Sequence, residues 1–233
     1  MKKICWMFLS LALFIMLILS PVFAQETGSK YGAGIFFDRS VPIFGFDDRY
    51  AASQKFGVIL DYKMSVRTTL EFEFHHAKLT DGKIEEIAFT WGVDKKTYTS
   101  PEAKSEFNLN SFLLNALVFL REPSSGDIQL QPYVAVGGGF YDYQDKITGL
   151  IYPGQNATPL NTDLLIEPRQ DDHTALGVNA GLGMAVMQGR FGLDVRARYH
   201  MIIGDLRSME AWGLKSVFPI SMIDMRTTFK LYF

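Results

Sequence analysis

The chain has 233 residues, of which 48% are hydrophobic and 14% aromatic, and its 23 basic side chains nearly balance its 25 acidic ones. With no long basic run, this balance argues against nucleic acid as a partner. Beyond the amino-terminal region, no apolar run reaches the roughly 18 residues that a membrane-spanning helix needs.

The amino terminus has the layout of a secretory signal peptide. Lys2 and Lys3 form a short basic region, and an apolar run extends from about 4 to 19. Residues 22–24 (VFA) then supply small or compact residues at the two positions that a signal peptidase recognises. The alternative is a retained membrane helix, for which the run is near the lower length limit of roughly 17 residues. We therefore predict that residues 1–24 are a signal peptide and that residues 25–233 form one mature domain.

The only cysteine, Cys5, lies inside this predicted signal peptide. The mature chain would therefore have no disulfide, thiolate metal site or thiol nucleophile, although export alone permits disulfides. A lipoprotein would need cysteine where the mature chain begins with Gln25, which argues against a lipid anchor.

Eight segments of alternating polarity follow, and we expect each to be a β-strand. Each is long enough to cross a bilayer as a tilted strand, which takes roughly 9–11 residues. Alternation indicates a strand because successive side chains point to opposite faces. The expected strands cover approximately residues 30–40, 55–64, 68–78, 107–120, 129–143, 173–186, 191–201 and 220–233.

The connections between these segments alternate strictly between short and long. Those at 65–67, 121–128 and 187–190 are turn-like, whereas those at 41–54, 79–106, 144–172 and 202–219 are long. A soluble sandwich has no reason to sort its loops in this way, but outer-membrane barrels combine short periplasmic turns with long external loops. We predict an all-β fold, an eight-stranded antiparallel up-and-down transmembrane β-barrel in the outer membrane of a Gram-negative bacterium.

The last strand ends with Phe229, Leu231 and Phe233 at every second position. A terminal aromatic residue on the lipid face is similar to the signal that the barrel-assembly machinery recognises. These three residues are therefore predicted to be the assembly signal.

Two glycine-rich stretches carry a family resemblance. Residues 132–140 (PYVAVGGGF) and 177–183 (GVNAGLG), the second followed by a tight turn and a strand ending at Tyr199, resemble the small outer-membrane β-barrel superfamily that includes outer-membrane proteins A and W. The resemblance covers the organisation of the whole mature chain. It implies a barrel, and its likeness to protein W implies limited passage of small or hydrophobic molecules as an alternative function.

Charged residues occupy the face of the strands that should point into the barrel. An eight-stranded barrel is just wide enough for side chains to fill its interior. The nearly balanced charges predict a buried network that plugs the lumen, and the alternative is a gated polar pathway for ions or small solutes. The network is expected to consist of Asp61, Lys63, Glu71, Glu73, Asp194, Arg196, Arg198, Asp224, Arg226 and Lys230, with Asp38 also facing inward.

Four histidines raise the alternative of a lipid-modifying enzyme, in which a histidine, a serine and a carboxylate meet at the barrel rim. They are His75, His76, His173 and His200. No family motif for such an enzyme accompanies them, and the adjacent His75 and His76 would face opposite sides of a strand, which argues against a metal site. We expect no enzyme activity, no cofactor and no metal.

The long loops contain apolar residues that are expected either to pack together or to contact a surface ligand. They include Trp91, Tyr98, residues 164–166, Trp212 and Phe218. Tyrosines near strand ends are expected to form interface girdles, namely Tyr31, Tyr141, Tyr143, Tyr199 and Tyr232. The predicted function is a non-enzymatic, porin-like barrel of the cell envelope with a structural or surface role, whose partners are outer-membrane lipid, lipopolysaccharide, the barrel-assembly machinery and an unidentified surface ligand.

Overall fold

The computed structural model of the protein describes residues 29–80, 82–122 and 128–233. These residues form ten strands in chain order: β1 (Tyr31–Ile43), β2 (Ser53–Lys63), β3 (Thr68–Thr80), β4 (Phe89–Thr90), β5 (Thr97–Tyr98), β6 (Lys104–Phe119), β7 (Gln129–Thr148), β8 (Arg169–Gln188), β9 (Phe191–Ile202) and β10 (Ile220–Tyr232). Two 3₁₀ turns, Ile84–Glu86 and Glu210–Trp212, lie in the loops. The predicted signal peptide lies outside the described residues.

All eight long strands belong to one closed antiparallel barrel, with the order β1-β10-β9-β8-β7-β6-β3-β2, while β4 and β5 form a separate hairpin. The first and last strands close the barrel through pairing that extends from Gly32 opposite Tyr232 to Ile43 opposite Ser221. The predicted eight-stranded up-and-down barrel is therefore confirmed. The main difference is length, because β7 continues to Thr148 and β8 begins at Arg169, so both extend further toward the long loops than the expected strands 129–143 and 173–186.

Short and long connections lie at opposite ends of the barrel. The connections between β2 and β3, between β6 and β7, and between β8 and β9 are at one end of the barrel, which we call the turn end. The tightest of these turns contains Gly189 with φ 58°, a left-handed conformation that suits glycine. The loops 44–52, 82–103, 149–168 and 203–219 lie at the other end, the loop end.

The outward face of the barrel is apolar over most of its height. Closing the sheet pairs every strand edge, which lipid requires because it contains no water to satisfy backbone groups. An even-stranded antiparallel barrel with an apolar outer belt and sorted loops has the architecture of an outer-membrane barrel. The exposed belt includes Ile35, Phe37, Val58, Leu60, Phe72, Phe112, Leu114, Val136, Phe140, Leu176, Val178, Leu182, Val195, Met225 and Phe229.

No helix in the part of the chain that the structure describes is long and apolar enough to cross a membrane.

The lumen is filled in three layers. A layer of charged residues occupies the middle and is called the ionic layer below. Toward the loop end it is covered by the apolar layer, a cluster that includes Phe46, Leu79, Phe107, Leu109, Tyr143, Ile220 and Met222. Toward the turn end lies a smaller cluster of Leu117, Tyr133, Ala135 and Ala185.

The large rings of these layers fit because glycines stand opposite them. A Cβ at Gly183 would lie 2.2 Å from the Tyr133 ring, and one at Gly177 would lie 2.6 Å from the Tyr141 ring. Both distances are far below van der Waals contact. The inward glycines therefore provide the room for larger neighbours that the sequence pattern indicated.

Candidate functional site

The ionic layer is built from inward positions of β1, β2, β3, β9 and β10. Because side chains alternate along a strand, residues two apart on these strands point into the same lumen. The buried carboxylates are Asp38, Asp61, Glu71, Glu73, Asp194 and Asp224, and the buried cations are Lys55, Arg196, Arg198, Arg226 and Lys230.

One ion pair joins opposite walls of the barrel. The Arg196 guanidinium donates to both carboxylate oxygens of Glu71, at 2.7 and 2.9 Å. Arg196 is on β9 and Glu71 on β3, and these strands are four apart around the barrel in either direction. A two-pronged arginine–carboxylate pair is among the strongest charged hydrogen bonds. This pair therefore spans the full width of the lumen.

Glu73 accepts hydrogen bonds from two arginines. Arg198 donates to its oxygens at 2.7 and 2.8 Å, and Arg226 of β10 donates to the same carboxylate, with one contact of 2.9 Å. The Asn115 amide adds a further donor at 3.2 Å. The Arg226 guanidinium also lies 3.6 Å from the centre of the Phe36 ring. Glu73 is thus the central acceptor of the ionic layer.

Toward the turn end, Lys230 bridges two carboxylates. Its Nζ lies 3.0 Å from oxygens of both Asp61 and Glu71. Tyr232 donates its hydroxyl to Asp61 at 2.9 Å. Lys63, which the sequence pattern placed in the network, has no carboxylate partner within 4 Å among the described residues and instead lies 4.1 Å from the centre of the Tyr232 ring.

Asp194 lies at the edge of the layer. Its carboxylate accepts the Tyr133 hydroxyl and lies 3.8 Å from the Arg196 guanidinium. Arg196 in turn donates from Nε to the Tyr133 oxygen at 2.8 Å. Tyr133 therefore links the ionic layer to the smaller apolar cluster at the turn end.

Lys55 is a member of the network that the sequence analysis did not name. Its ammonium contacts Asp224 and lies 3.4 Å from Asp38, and all three side chains are buried. Lys55 has the same parity on β2 as Asp61 and Lys63, so the alternation contained the signal. Lys55 was the first residue of the expected strand 55–64, whereas the structure begins β2 two residues earlier, at Ser53, and so places Lys55 within the strand.

Two of the four histidines lie in the lumen beside carboxylates. His75 Nδ1 is 2.7 Å from Glu73, and His200 Nε2 is 2.7 Å from Asp224. Both imidazoles are fully buried beneath the apolar layer, where a substrate outside the barrel has no access. His76 faces outward and contacts the Asn110 side chain at 2.9 Å.

The histidines do not meet at the rim as a lipid-modifying site would require. His173 is on β8, and its ring lies 5.7 Å from that of Tyr143. Among the described residues, no group of three or more histidine, cysteine or acidic side chains is arranged to hold a metal ion.

Loop 44–52 folds into the mouth of the barrel and supplies part of the apolar layer. Phe46 and Tyr50 are fully buried, and their ring centres lie 5.1 and 5.2 Å from that of Phe107. Tyr50 donates its hydroxyl to Asp145 of β7. Burial and then the adjacent Asp145 carboxylate raise the pKa of Tyr50, so the hydroxyl keeps its proton and remains a donor.

Arg49 holds loop 44–52 in place through hydrogen bonds to loop 203–219. Its guanidinium donates to the backbone carbonyls of Arg207 and Lys215, both at 2.7 Å. Burial lowers the pKa of Arg49, but an arginine remains charged at neutral pH. The contacts hold loop 44–52 against loop 203–219 and keep the lumen covered.

The three remaining long loops form an ordered unit, which we call the cap and define as residues 82–103, 149–166 and 203–217. One small core contains Phe89, Trp91, Ile151 and Leu160. The indole N–H groups of Trp91 and Trp212 donate to the carbonyls of Pro153 and Ile151, at 3.0 and 2.7 Å. Both tryptophans therefore pack between loops, whereas Phe218, Leu164 and Leu165 remain exposed.

The structure contradicts the predicted tyrosine girdle for three of its five residues. Tyr31 and Tyr199 face outward, but Tyr141, Tyr143 and Tyr232 point into the lumen and are buried. Tyr141 lies opposite in parity to the outward Phe140, so its position near a strand end did not place it at the membrane interface. It contacts His200 Nδ1 at 2.7 Å instead.

The residues of the predicted assembly signal lie on the outer face of the closing strand. Phe229 and Leu231 are about half exposed. Phe233 follows β10, and its backbone N–H donates to the Tyr31 carbonyl at 2.9 Å. All three are accessible from the membrane side.

No protein-family model and no curated protein matches this chain. Among solved structures, it is similar to the attachment invasion locus protein Ail of Yersinia pestis, with 14% identity over 88% of this chain and 99% of that one and a TM-score of 0.47. It is also similar to Neisserial surface protein A, with 12% identity, 89% and 100% coverage and a TM-score of 0.45. A major outer membrane protein of Thermus thermophilus gives 13% identity, 86% and 99% coverage and a TM-score of 0.46.

Proposed function

We propose that this chain is a closed, non-enzymatic outer-membrane barrel that contributes to envelope structure and presents an ordered surface outside the cell. The filled lumen supports this proposal. Glu71 and Arg196 connect opposite walls of the barrel, and the apolar layer covers the ionic layer toward the loop end. A solute would have to displace both layers to pass.

Planar-bilayer conductance of the purified, folded protein tests closure. We expect no steady openings under conditions where a porin, added to the same bilayers, conducts. Steady openings of the unaltered protein would favour the alternative of a narrow channel and would contradict this proposal.

A paired variant sharpens the measurement. Glu71→Ser combined with Arg196→Ser removes both charges of one cross-lumen bridge, and Lys230, which loses Glu71, keeps its contact with Asp61. We expect this variant to remain silent, because the apolar layer is intact. Openings that appear only in the paired variant would show that the ionic layer alone closes the lumen.

The cap is the part of the molecule that we propose to face the cell exterior and to interact with a surface ligand. Its order supports this role, because residues held by shared cores and indole hydrogen bonds present a defined surface. Lys95 and Lys96 are exposed on it. An amine-reactive reagent that cannot cross membranes should label both in intact cells. Labelling only after the cells are permeabilised would place the cap on the periplasmic side of the outer membrane and contradict the proposal.

We also propose that export removes residues 1–24. The intact mass of the mature protein should then correspond to a chain beginning at Gln25.

We propose further that the outward residues Phe229, Leu231 and Phe233 are recognised during assembly. Deletion of Phe233 should lower the fraction of protein with heat-modifiable migration, whereas Phe218→Leu, an exposed loop change, should not. Equal assembly of both variants would contradict the assembly signal.

A further inference from the structure

The outer wall of the barrel has a groove of about 480 Å³ on the side formed by β2, β3, β6 and β7. Its walls are apolar side chains of the outward belt, and its lower part opens where β7 has no side chain, at Gly138. In the strand pairing, Gly138 lies opposite Leu114 on one side and Val178 on the other. The groove is lined by Val58, Leu60, Phe72, Phe74, Phe112, Leu114 and Phe140.

Three aromatic rings form the upper boundary of the groove. Phe74, Phe112 and Phe140 are directly opposite one another on three adjacent strands, and the first two rings have centres 4.9 Å apart. They are the last apolar outward residues of these strands before the loop end. The groove therefore lies in the half of the belt nearer the cell exterior.

A row of polar side chains begins immediately above these rings. His76, Asn110 and Asp142 are the next outward residues on β3, β6 and β7. His76 contacts Asn110 at 2.9 Å, and Asp142 accepts the Thr174 hydroxyl at 3.0 Å. The polar row continues with Lys78, Glu106, Asn108, Gln144 and Asp172.

The opposite side of the barrel lacks this abrupt change. On β9 and beyond it, the outward residues Tyr199, Met201 and Ile203 remain largely apolar toward the loop end. On the β3–β6–β7 side, the polar row thus lies directly above the apolar groove. It matches an amphiphile whose hydrocarbon tail lies along the wall and whose head lies at the polar row.

We propose that the groove holds one acyl chain of a lipid in the outer leaflet, with the lipid headgroup at the polar row of His76, Asn110 and Asp142. The inference rests on the proposed function, because the groove meets lipid only if the barrel spans a membrane. An acyl chain in the groove supplies the van der Waals contacts that the apolar lining otherwise lacks. The bound chain exchanges with bulk lipid more slowly than lipid elsewhere around the belt.

Photolabelling tests the site. The protein is reconstituted into phosphatidylethanolamine vesicles that contain a trace of the same lipid with a diazirine on its acyl chain, and labelled peptides are mapped after irradiation. We expect labelling to concentrate several-fold on the lining residues of β3, β6 and β7 relative to the equally apolar outward residues of β9 and β10. Uniform labelling around the belt would overturn the proposal.

Two tryptophan variants make the test specific. Leu114→Trp places a larger side chain over the gap at Gly138 and should reduce the labelling of the groove several-fold. Leu182→Trp, an equally apolar outward change on β8 away from the groove, should leave it unchanged. Equal labelling of the groove in both variants would also overturn the proposal.

Heat-modifiable migration and resistance to protease are measured on the same samples. A protein that is not inserted and folded contradicts the barrel function itself. An inserted, folded protein with uniform labelling contradicts only the acyl-chain site.

Discussion

The ionic and apolar layers close the same lumen by different physical means. In the ionic layer, charged groups depend on specific partners, and two arginines converge on Glu73. In the apolar layer, Phe107 packs against the rings of Phe46, Tyr50 and Tyr143. These contacts depend less strictly on direction than the hydrogen bonds of the ionic layer do. Chemical identity therefore matters most in the first layer and volume in the second. Substitutions that preserve shape should separate the two.

The largest effect is expected where shape is kept and charge is lost in the ionic layer. Glu73→Gln leaves Arg198 and Arg226 buried without their shared carboxylate, and breaking a buried ion pair in this way costs about 3–5 kcal/mol. Urea unfolding of the protein in lipid vesicles, followed by heat-modifiable migration, measures the free energy of unfolding. A loss below about 1 kcal/mol, the size expected for an exposed pair, would contradict a tightly coupled layer.

A smaller loss is expected at the junction between loop 44–52 and the barrel. Tyr50→Phe keeps the ring in the apolar layer but removes the hydroxyl that Asp145 accepts. An acceptor deprived of its donor costs about 1–3 kcal/mol. The same unfolding measurement applies. Phe46→Leu, a change in the same loop without a hydrogen bond to lose, serves as the control for packing alone.

The shape-preserving change in the apolar layer should be mild. Leu109 is fully buried among aliphatic and aromatic side chains. Leu109→Met conserves volume and should cost less than about 1.5 kcal/mol. A loss as large as that of Glu73→Gln would show that the two layers do not differ as proposed.

The smallest effect is expected for an ion pair outside both layers. Arg67 and Glu122 are 2.9 Å apart at the turn end, with side chains 57% and 64% exposed. Solvent screens such a pair, so Arg67→Ala should change the free energy of unfolding by about 0–1 kcal/mol. This variant calibrates the charge effect in Glu73→Gln, because it removes a charge without uncovering a buried partner.

The barrel was predictable from sequence because strand parity repeats over many residues. Once Arg196 and Arg198 are inward, Leu193 and Val195 must be outward, and the alternation of short and long connections orients the whole sheet. Nine of the ten predicted network residues take part in buried ion pairs or hydrogen bonds, and Lys63 differs because it sits over the Tyr232 ring at the edge.

The errors occurred where position along a strand was used in place of parity. Tyr143 lies near a strand end, yet its odd number on β7 directs it into the lumen beside Phe107. The inward folding of Phe46 and Tyr50 could not be predicted, because loop 44–52 has no periodicity and its position depends on distant partners such as Arg207 and Lys215. The shared cores of the cap depend on the same kind of long-range contact.

The distribution of buried charge along the chain has a consequence for assembly. Strands β1 to β3 contribute four lumen carboxylates, Asp38, Asp61, Glu71 and Glu73, but only one buried cation, Lys55. Strands β9 and β10 contribute Arg196, Arg198, Arg226 and Lys230 against Asp194 and Asp224. The first part of the barrel thus holds a surplus of negative charge, which is neutralised by residues synthesised more than 100 positions later, such as the partners of Glu71 and Glu73 at a separation of 125. The carboxylates of β1 to β3 therefore gain most of their partners only when β9 and β10 join the sheet, so we expect the lumen to exclude water late in assembly.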